Sequence, residues 1–325
     1  MKLTYWLLPI ILIASIVFVS GCIRELPTGH AVKGPEVVYE TGPAIQTYFC
    51  IKDNCEQKLV ALIENSTNVD CAIYNMDLSS VKSALKEKNY RLVVDVGEKD
   101  KFAGLEYVTQ GGDGLMHNKF CIFDNQTVFT GSFNPTQKQN TVDDNNIVII
   151  DSKYLAENYE DEFNELYYRQ VSGPPTKYPK IIYNGELIEN YFCPEDHCAD
   201  HLIEALNSSN SEIKFMTFSF TYAAIGDLLL AKNVPVQGIF DKQQAGSNYS
   251  QFHKLNGTLD VRLDGGKGLL HHKVFIIDRK IVATGSFNPT KSGDTKNDEN
   301  LLIIHSPEIA EKYLAEFENL WNESS

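Results

Sequence analysis

A chain of 325 residues with 43% hydrophobic residues can bury a sizeable core and has the size of two domains or one double domain. Its formal net charge is −14, with both signs mixed along the chain, which excludes a disordered acidic tail. That charge also disfavours long-range attraction to nucleic acid or anionic lipid, although a local basic cleft can override it.

Residues 1–22, MKLTYWLLPIILIASIVFVSGC, carry one charge, Lys2, and an apolar run from Trp6 to Val19 with the length of a signal-peptide core. The closing VSGC resembles the lipobox of prokaryotic lipoproteins, which implies cleavage before Cys22 and lipid on its thiol. An uncleaved transmembrane anchor is the alternative, because the uncharged stretch can span a bilayer. Both readings put the body outside the cytoplasm, tethered to a membrane after a linker at 23–36.

The rest is an internal duplication. YFC at Tyr48 recurs at Tyr191, an offset of 143; the motif at His117 recurs at His271, an offset of 154. The second copy therefore holds a net eleven-residue insertion before its histidine. The repeats bound a first lobe at 37–170, a linker at 171–180 around Gly173, Pro174 and Pro175, and a second lobe at 181–323. Each copy opens on a C-x4-C loop, Cys50/Cys55 and Cys193/Cys198. That spacing is poor for zinc and reads as a local disulfide in an oxidising compartment, with crossed pairing between copies left open. Helical KLVALIEN and HLIEALNS follow, then the apolar strands RLVVDV and VPVQGIF. Cys71 and Cys121 fall in strands, where buried free thiols are at least as expected as a bridge. Each copy ends on an amphipathic helix whose stripe, Leu155, Tyr159, Phe163, Leu166 and Tyr167, is matched by Ile309, Tyr313, Phe317, Leu320 and Trp321. The fold class is α/β, with two homologous lobes, each a β-sheet flanked by helices, packed about a pseudo-twofold axis.

Between strand and closing helix both copies carry H-x-K-x4-D-x6-G-S-x-N. The first supplies His117, Lys119, Asp124, Gly131, Ser132 and Asn134; the second supplies His271, Lys273, Asp278, Gly285, Ser286 and Asn288. Six fixed positions match by chance in ~10⁻⁸ of start points, so a double match is not coincidence. Residues two apart on a strand share a face, which puts each His beside its Lys in one cleft. Imidazole, ammonium, hydroxyl and amide together suit a phosphate. A single such histidine would more often be a satisfied core residue; two at identical spacing are not. Asp124 and Asp278 sit on the opposite strand face and read as structural or orienting.

This doubled pattern resembles the phospholipase D superfamily over nearly the whole chain after residue 36. The resemblance implies a bilobal α/β sandwich acting as a monomer with an internal pseudo-dimer, one shared active site, and a phosphohistidine intermediate formed without metal or other cofactor. It implies that Lys119, Lys273, Asn134 and Asn288 bind the phosphate, while one of His117 and His271 attacks and the other serves as acid and base. Family members often place a carboxylate against the histidine of the opposite lobe. Carried over, Glu299 partners His117 and Asn145 partners His271, which makes His117 the nucleophile; Asp143 and Asp144 leave the second register open by one residue. The substrate is a phospholipid, cleaved at its headgroup, or alternatively DNA or RNA; a non-catalytic phosphate-binding protein is the third reading.

Overall fold

The computed structural model describes residues 37–169 and 173–325; the N-terminal segment with Cys22 and the whole linker at 23–36 lie outside them. The described residues belong to one compact unit. Among them, no helix is long and apolar enough to cross a membrane.

β1 (Val38–Glu40) is followed by the strands of the first sheet: β2 (Gln46–Phe49), β3 (Asn68–Ile73), β4 (Asn89–Asp95), β5 (Val108–Gln110), β6 (Lys119–Phe123), β7 (Thr127–Gly131) and β8 (Asn146–Asp151). They are ordered β2-β8-β7-β6-β3-β4-β5. The second sheet comprises β9 (Lys180–Tyr183), β10 (Glu186–Cys193), β11 (Ile213–Thr217), β12 (Val236–Phe240), β13 (Asp260–Leu263), β14 (Lys273–Ile277), β15 (Ile281–Gly285) and β16 (Glu299–His305). Its order, β1-β9-β10-β16-β15-β14-β11-β12-β13, repeats the first and adds two strands at one edge. One addition is β1, which falls within the span 37–170 yet pairs in parallel with β9. The mixed α/β fold with two flanked sheets is thus the expected one.

Three hydrophobic cores follow from the alternation of the strands. The central one lies between the sheets and takes in Phe120, Ile122, Val274 and Ile276 with the stripes of both long helices, Lys153–Tyr168 and Pro307–Glu323. Each helix starts where a serine hydroxyl, Ser152 or Ser306, accepts the amide N–H three residues on. The two outer cores lie under the helices Cys55–Glu64 and Ser79–Lys86 in the first lobe, and Cys198–Asn207 and Ala223–Ala231 in the second. The insertion in the second lobe lies mostly between β12 and β13, as the short helices Lys242–Ala245 and Phe252–Leu255.

Cys50–Cys55 and Cys193–Cys198 are local disulfides. Of the two readings left open for Cys71 and Cys121, free thiols or a bridge, the structure has the bridge: the two form a third disulfide. They are direct partners across antiparallel β3 and β6, which brings the side chains together on one face.

Candidate active site

Both motif histidines stand at the same end of their sheets, two residues before β6 and β14 begin with Lys119 and Lys273. Each preceding loop is bound by the other lobe. His117 N–H donates to Asp298 O at 3.0 Å and Asp298 N–H to Leu115 O at 2.9 Å; His271 N–H donates to Asp144 O and Asp144 N–H to Leu269 O, both at 2.9 Å. These main-chain bridges need close approach, and glycine permits it. A Cβ on Gly114 would lie 1.8 Å from Lys296 O, and one on Gly268 would lie 2.1 Å from Val142 O.

The crossed bridges put Glu299 Oε2 2.8 Å from His117 Nδ1, and Asn145 Oδ1 2.8 Å from His271 Nδ1. The register is therefore set at Asn145. Asp144 contributes its main chain, while Asp143 accepts the Leu269 N–H and pairs with Lys138. The Asn145 amide is oriented by its neighbours: Nδ2 donates to Gln139 O and Asp143 O, and Ser132 Oγ donates to Oδ1. Only acceptors then face the two Nδ1 atoms, so each Nδ1 carries a proton and a neutral ring keeps its lone pair on Nε2.

Lys119 Nζ donates to His117 O at 2.6 Å and Lys273 Nζ to His271 O at 2.8 Å. Each ammonium also lies over an aromatic ring, Tyr74 at 5.2 Å and Phe218 at 5.1 Å, and those rings pack against His117 and His271. Asn134 and Asn288 hold buried amide oxygens with no partner among the described residues. Ser132 and Ser286 are fully buried and accept the N–H of Asn146 and Asn300, so they lock the strands that carry Asn145 and Glu299. Asp124 and Asp278 sit at the far strand ends with positive φ. Their carboxylates accept the N–H groups of Thr67 and Asn68, and of Asn210, Ser211 and Glu212.

Two pairs of site residues escape a reading of the motif alone. Asp95 and Asp241, buried at the ends of β4 and β12, accept the N–H of Met116 and Leu270, each one residue before a histidine. Asn118 and His272, the middle residues of the two H-x-K triplets, point away from the cleft into a polar seam between the lobes. Asn118 accepts from Asn300, and His272 Nδ1 lies 2.9 Å from Asn146 Oδ1. Aligning the repeats position by position would have found Asp95 with Asp241 and Asn146 with Asn300, since both pairs recur.

Positive charge in the cleft outweighs negative. Burial first, then the neighbouring lysines, lowers His117 to a pKa of about 4 against the opposing pull of Glu299; burial lowers Lys119 to about 7. His271 and Lys273 are lowered well below their ordinary values by burial and then by the other cations. Four basic groups share one contacting carboxylate, and an added anion would relieve all of them. The seam residue His272, also buried, is lowered to about 3. The unfolded chain takes up these histidine protons near pH 6.5 while the folded one refuses them. The stability that the buried neutral histidines contribute is therefore expected to be full above pH 6.5 and to be lost as the pH drops from 6.5 toward 4. Urea unfolding of the full chain across that range would show a midpoint that declines with acidity; a flat midpoint would contradict buried neutral histidines.

Two regions of the chain, residues 44–167 and 202–321, match the family described as "Cardiolipin synthase, PLD-like domain". The phospholipase D of Rickettsia conorii is 32% identical over 136 residues, which cover 41% of this chain and 68% of that protein. The mitochondrial cardiolipin hydrolase of Mus musculus is 35% identical over 126 residues, 38% of this chain and 57% of that one. Among solved structures, phosphatidylserine synthase of Haemophilus influenzae superposes with a TM-score of 0.61 at 14% identity, covering 86% of this chain and 85% of its own, a likeness of fold.

Proposed function

The chain belongs to the phospholipase D superfamily of phosphodiesterases, and from that premise we propose that it hydrolyses the headgroup ester of phospholipids, through a phosphohistidine and without a metal ion. The observation that carries the reading is the pair of buried imidazoles, each Nδ1 held by the opposite lobe and each Nε2 left as the free nitrogen. Among the described residues, the two buried lysines beside them have no carboxylate in direct contact. The phospholipid substrate is supported by the activities named for the relatives, phospholipase D and cardiolipin hydrolase.

In this mechanism Lys119, Lys273, Asn134 and Asn288 hold the phosphate oxygens. Nε2 of His117 attacks phosphorus as the bond to the headgroup oxygen breaks, and His271, protonated on Nε2 once the substrate anion is bound, gives its proton to that oxygen. Water then attacks the phosphorus, His271 takes the water proton, and the N–P bond breaks to release phosphatidate and neutral His117. Glu299 offsets the positive charge that develops on the attacking imidazole, which the amide of Asn145 cannot do. The three disulfides support an oxidising, extracytoplasmic location, and the apolar residues 6–19 support a membrane tether.

The test incubates the full chain, in neutral detergent with EDTA, with choline-labelled phosphatidylcholine and, separately, with single- and double-stranded DNA. Choline release that survives EDTA and is lost in a His117→Ala control is expected. Oligonucleotide release without choline release would replace the lipid reading with a nuclease, and release of neither would leave a phosphate-binding protein.

A further inference from the structure

The duplicated halves place the cleft at one end of both sheets, but the two halves of the rim differ in charge. In the second lobe the exposed basic residues at that end are Lys242 just after β12, Lys267 in the loop before His271, Lys291 at the start of the helix Lys291–Thr295, and Lys296 just beyond it; the exposed Glu323, whose main chain abuts Gly265, is a carboxylate at the same end. None of the four forms a salt bridge among the described residues. The carboxylates between them are consumed inside the fold: Asp241 accepts three N–H groups, Asp264 that of Gly266, and Asp294 that of Ala199. The equivalent positions of the first lobe hold Val96, Asp113, Gln137 and Val142, none of them basic. Four unpaired lysines against the one carboxylate of Glu323 leave this rim net positive, on a chain whose net charge is −14.

Exposed apolar side chains stand at the same end. Leu115 and Val142 are 41% and 39% exposed on the loops that hold the two histidines, and Tyr249, 80% exposed, tops the segment inserted between β12 and β13. Lysines could serve a nucleic-acid strand as well as a lipid headgroup layer, but exposed leucine, valine and tyrosine gain by entering an interface of headgroups and acyl chains. We infer that this end of the molecule docks on an anionic phospholipid bilayer, the second-lobe lysines meeting the headgroup phosphates, so that the cleft opens onto the surface that holds its substrate. The inference rests on the phospholipid reading of the cleft and adds the partner surface to it.

The experiment compares the full chain with the quadruple variant Lys242→Ser, Lys267→Ser, Lys291→Ser, Lys296→Ser. Each is assayed on detergent micelles of phosphatidylcholine alone or mixed with phosphatidylglycerol, and on the soluble diester bis(p-nitrophenyl) phosphate. The wild type is expected to gain from phosphatidylglycerol, to lose that gain in high salt, and to exceed the variant by about tenfold or more on anionic micelles. Turnover of the soluble diester is expected to be equal in the two. An identical gain in the variant overturns the inference, as does a defect confined to single-stranded DNA, which would make the lysines a nucleic-acid track. If neither protein cleaves any diester, the hydrolase reading has failed; binding to phosphatidylglycerol micelles, compared between the two proteins, then still decides the docking surface.

Discussion

His117→Ala is expected to reduce hydrolysis of any phosphodiester by about 10⁴-fold or more, because in the proposed mechanism the substitution removes the atom that bonds to phosphorus. His271→Ala should behave differently. Proton donation matters little when the leaving group is p-nitrophenolate, so the first step should survive on bis(p-nitrophenyl) phosphate and the second, which needs a base, should not. The expected record is a burst of p-nitrophenol equal to the enzyme concentration, followed by stalled turnover with a p-nitrophenyl phosphoryl group held on His117. The asymmetry comes from the partners: a carboxylate at 2.8 Å from His117 and an amide at 2.8 Å from His271. A burst from the His117→Ala protein, with that group recovered on His271, would reverse the roles and refute the argument from Glu299.

The largest expected stability effect lies in the first lobe. Replacing Cys71 and Cys121 together by alanine opens a cross-link with a sequence separation of 50, which in the chain-entropy view costs about 4 kcal/mol. Opening Cys50–Cys55, with a separation of 5, should cost about 2 kcal/mol. Denaturant unfolding of the two variants measures the difference, and a loss no greater for the long loop than for the short one would remove the entropic argument. The second lobe shows why the bridge is local to one half. At the positions equivalent to Cys71 and Cys121 it has Phe215 and Phe275, direct partners with ring centroids 5.6 Å apart. Phe215 fits because the next strand offers Gly238, where an added Cβ would lie 2.0 Å from the ring; Cys71 faces Leu92 at the corresponding place. Phenylalanines placed at 71 and 121 should therefore not restore stability.

These particulars mark what could be read in the residues alone. The repeat disclosed two lobes, the closing helices and the six-position motif, because each depends on spacing along the chain. The Cys71–Cys121 bridge depends on which residues oppose one another across β3 and β6, and no local pattern carries that register. The placement of β1 at the edge of the second sheet was hidden for a similar reason: three residues are too short for a periodicity and pair with a strand more than a hundred residues on. Asp95 and Asp241 act through main-chain amides and not by contact with a substrate, so they lack the chemical company that makes a histidine conspicuous. Asn145 and Glu299 were legible only through the family resemblance, which places a partner for the opposite histidine there, together with the difference between the two copies.

The crossed bridges also set an order in time. His117 leaves the ribosome long before Glu299, and neither its Nδ1 partner nor the Asp298 carbonyl that fixes its loop exists until synthesis has passed that point. A growing or prematurely stopped chain thus holds a complete H-x-K-x4-D motif whose Nδ1 partner is still missing. On the proposed function, the site is complete only once the last strand of the second sheet has been made, so a chain stopped before it is expected to be inactive.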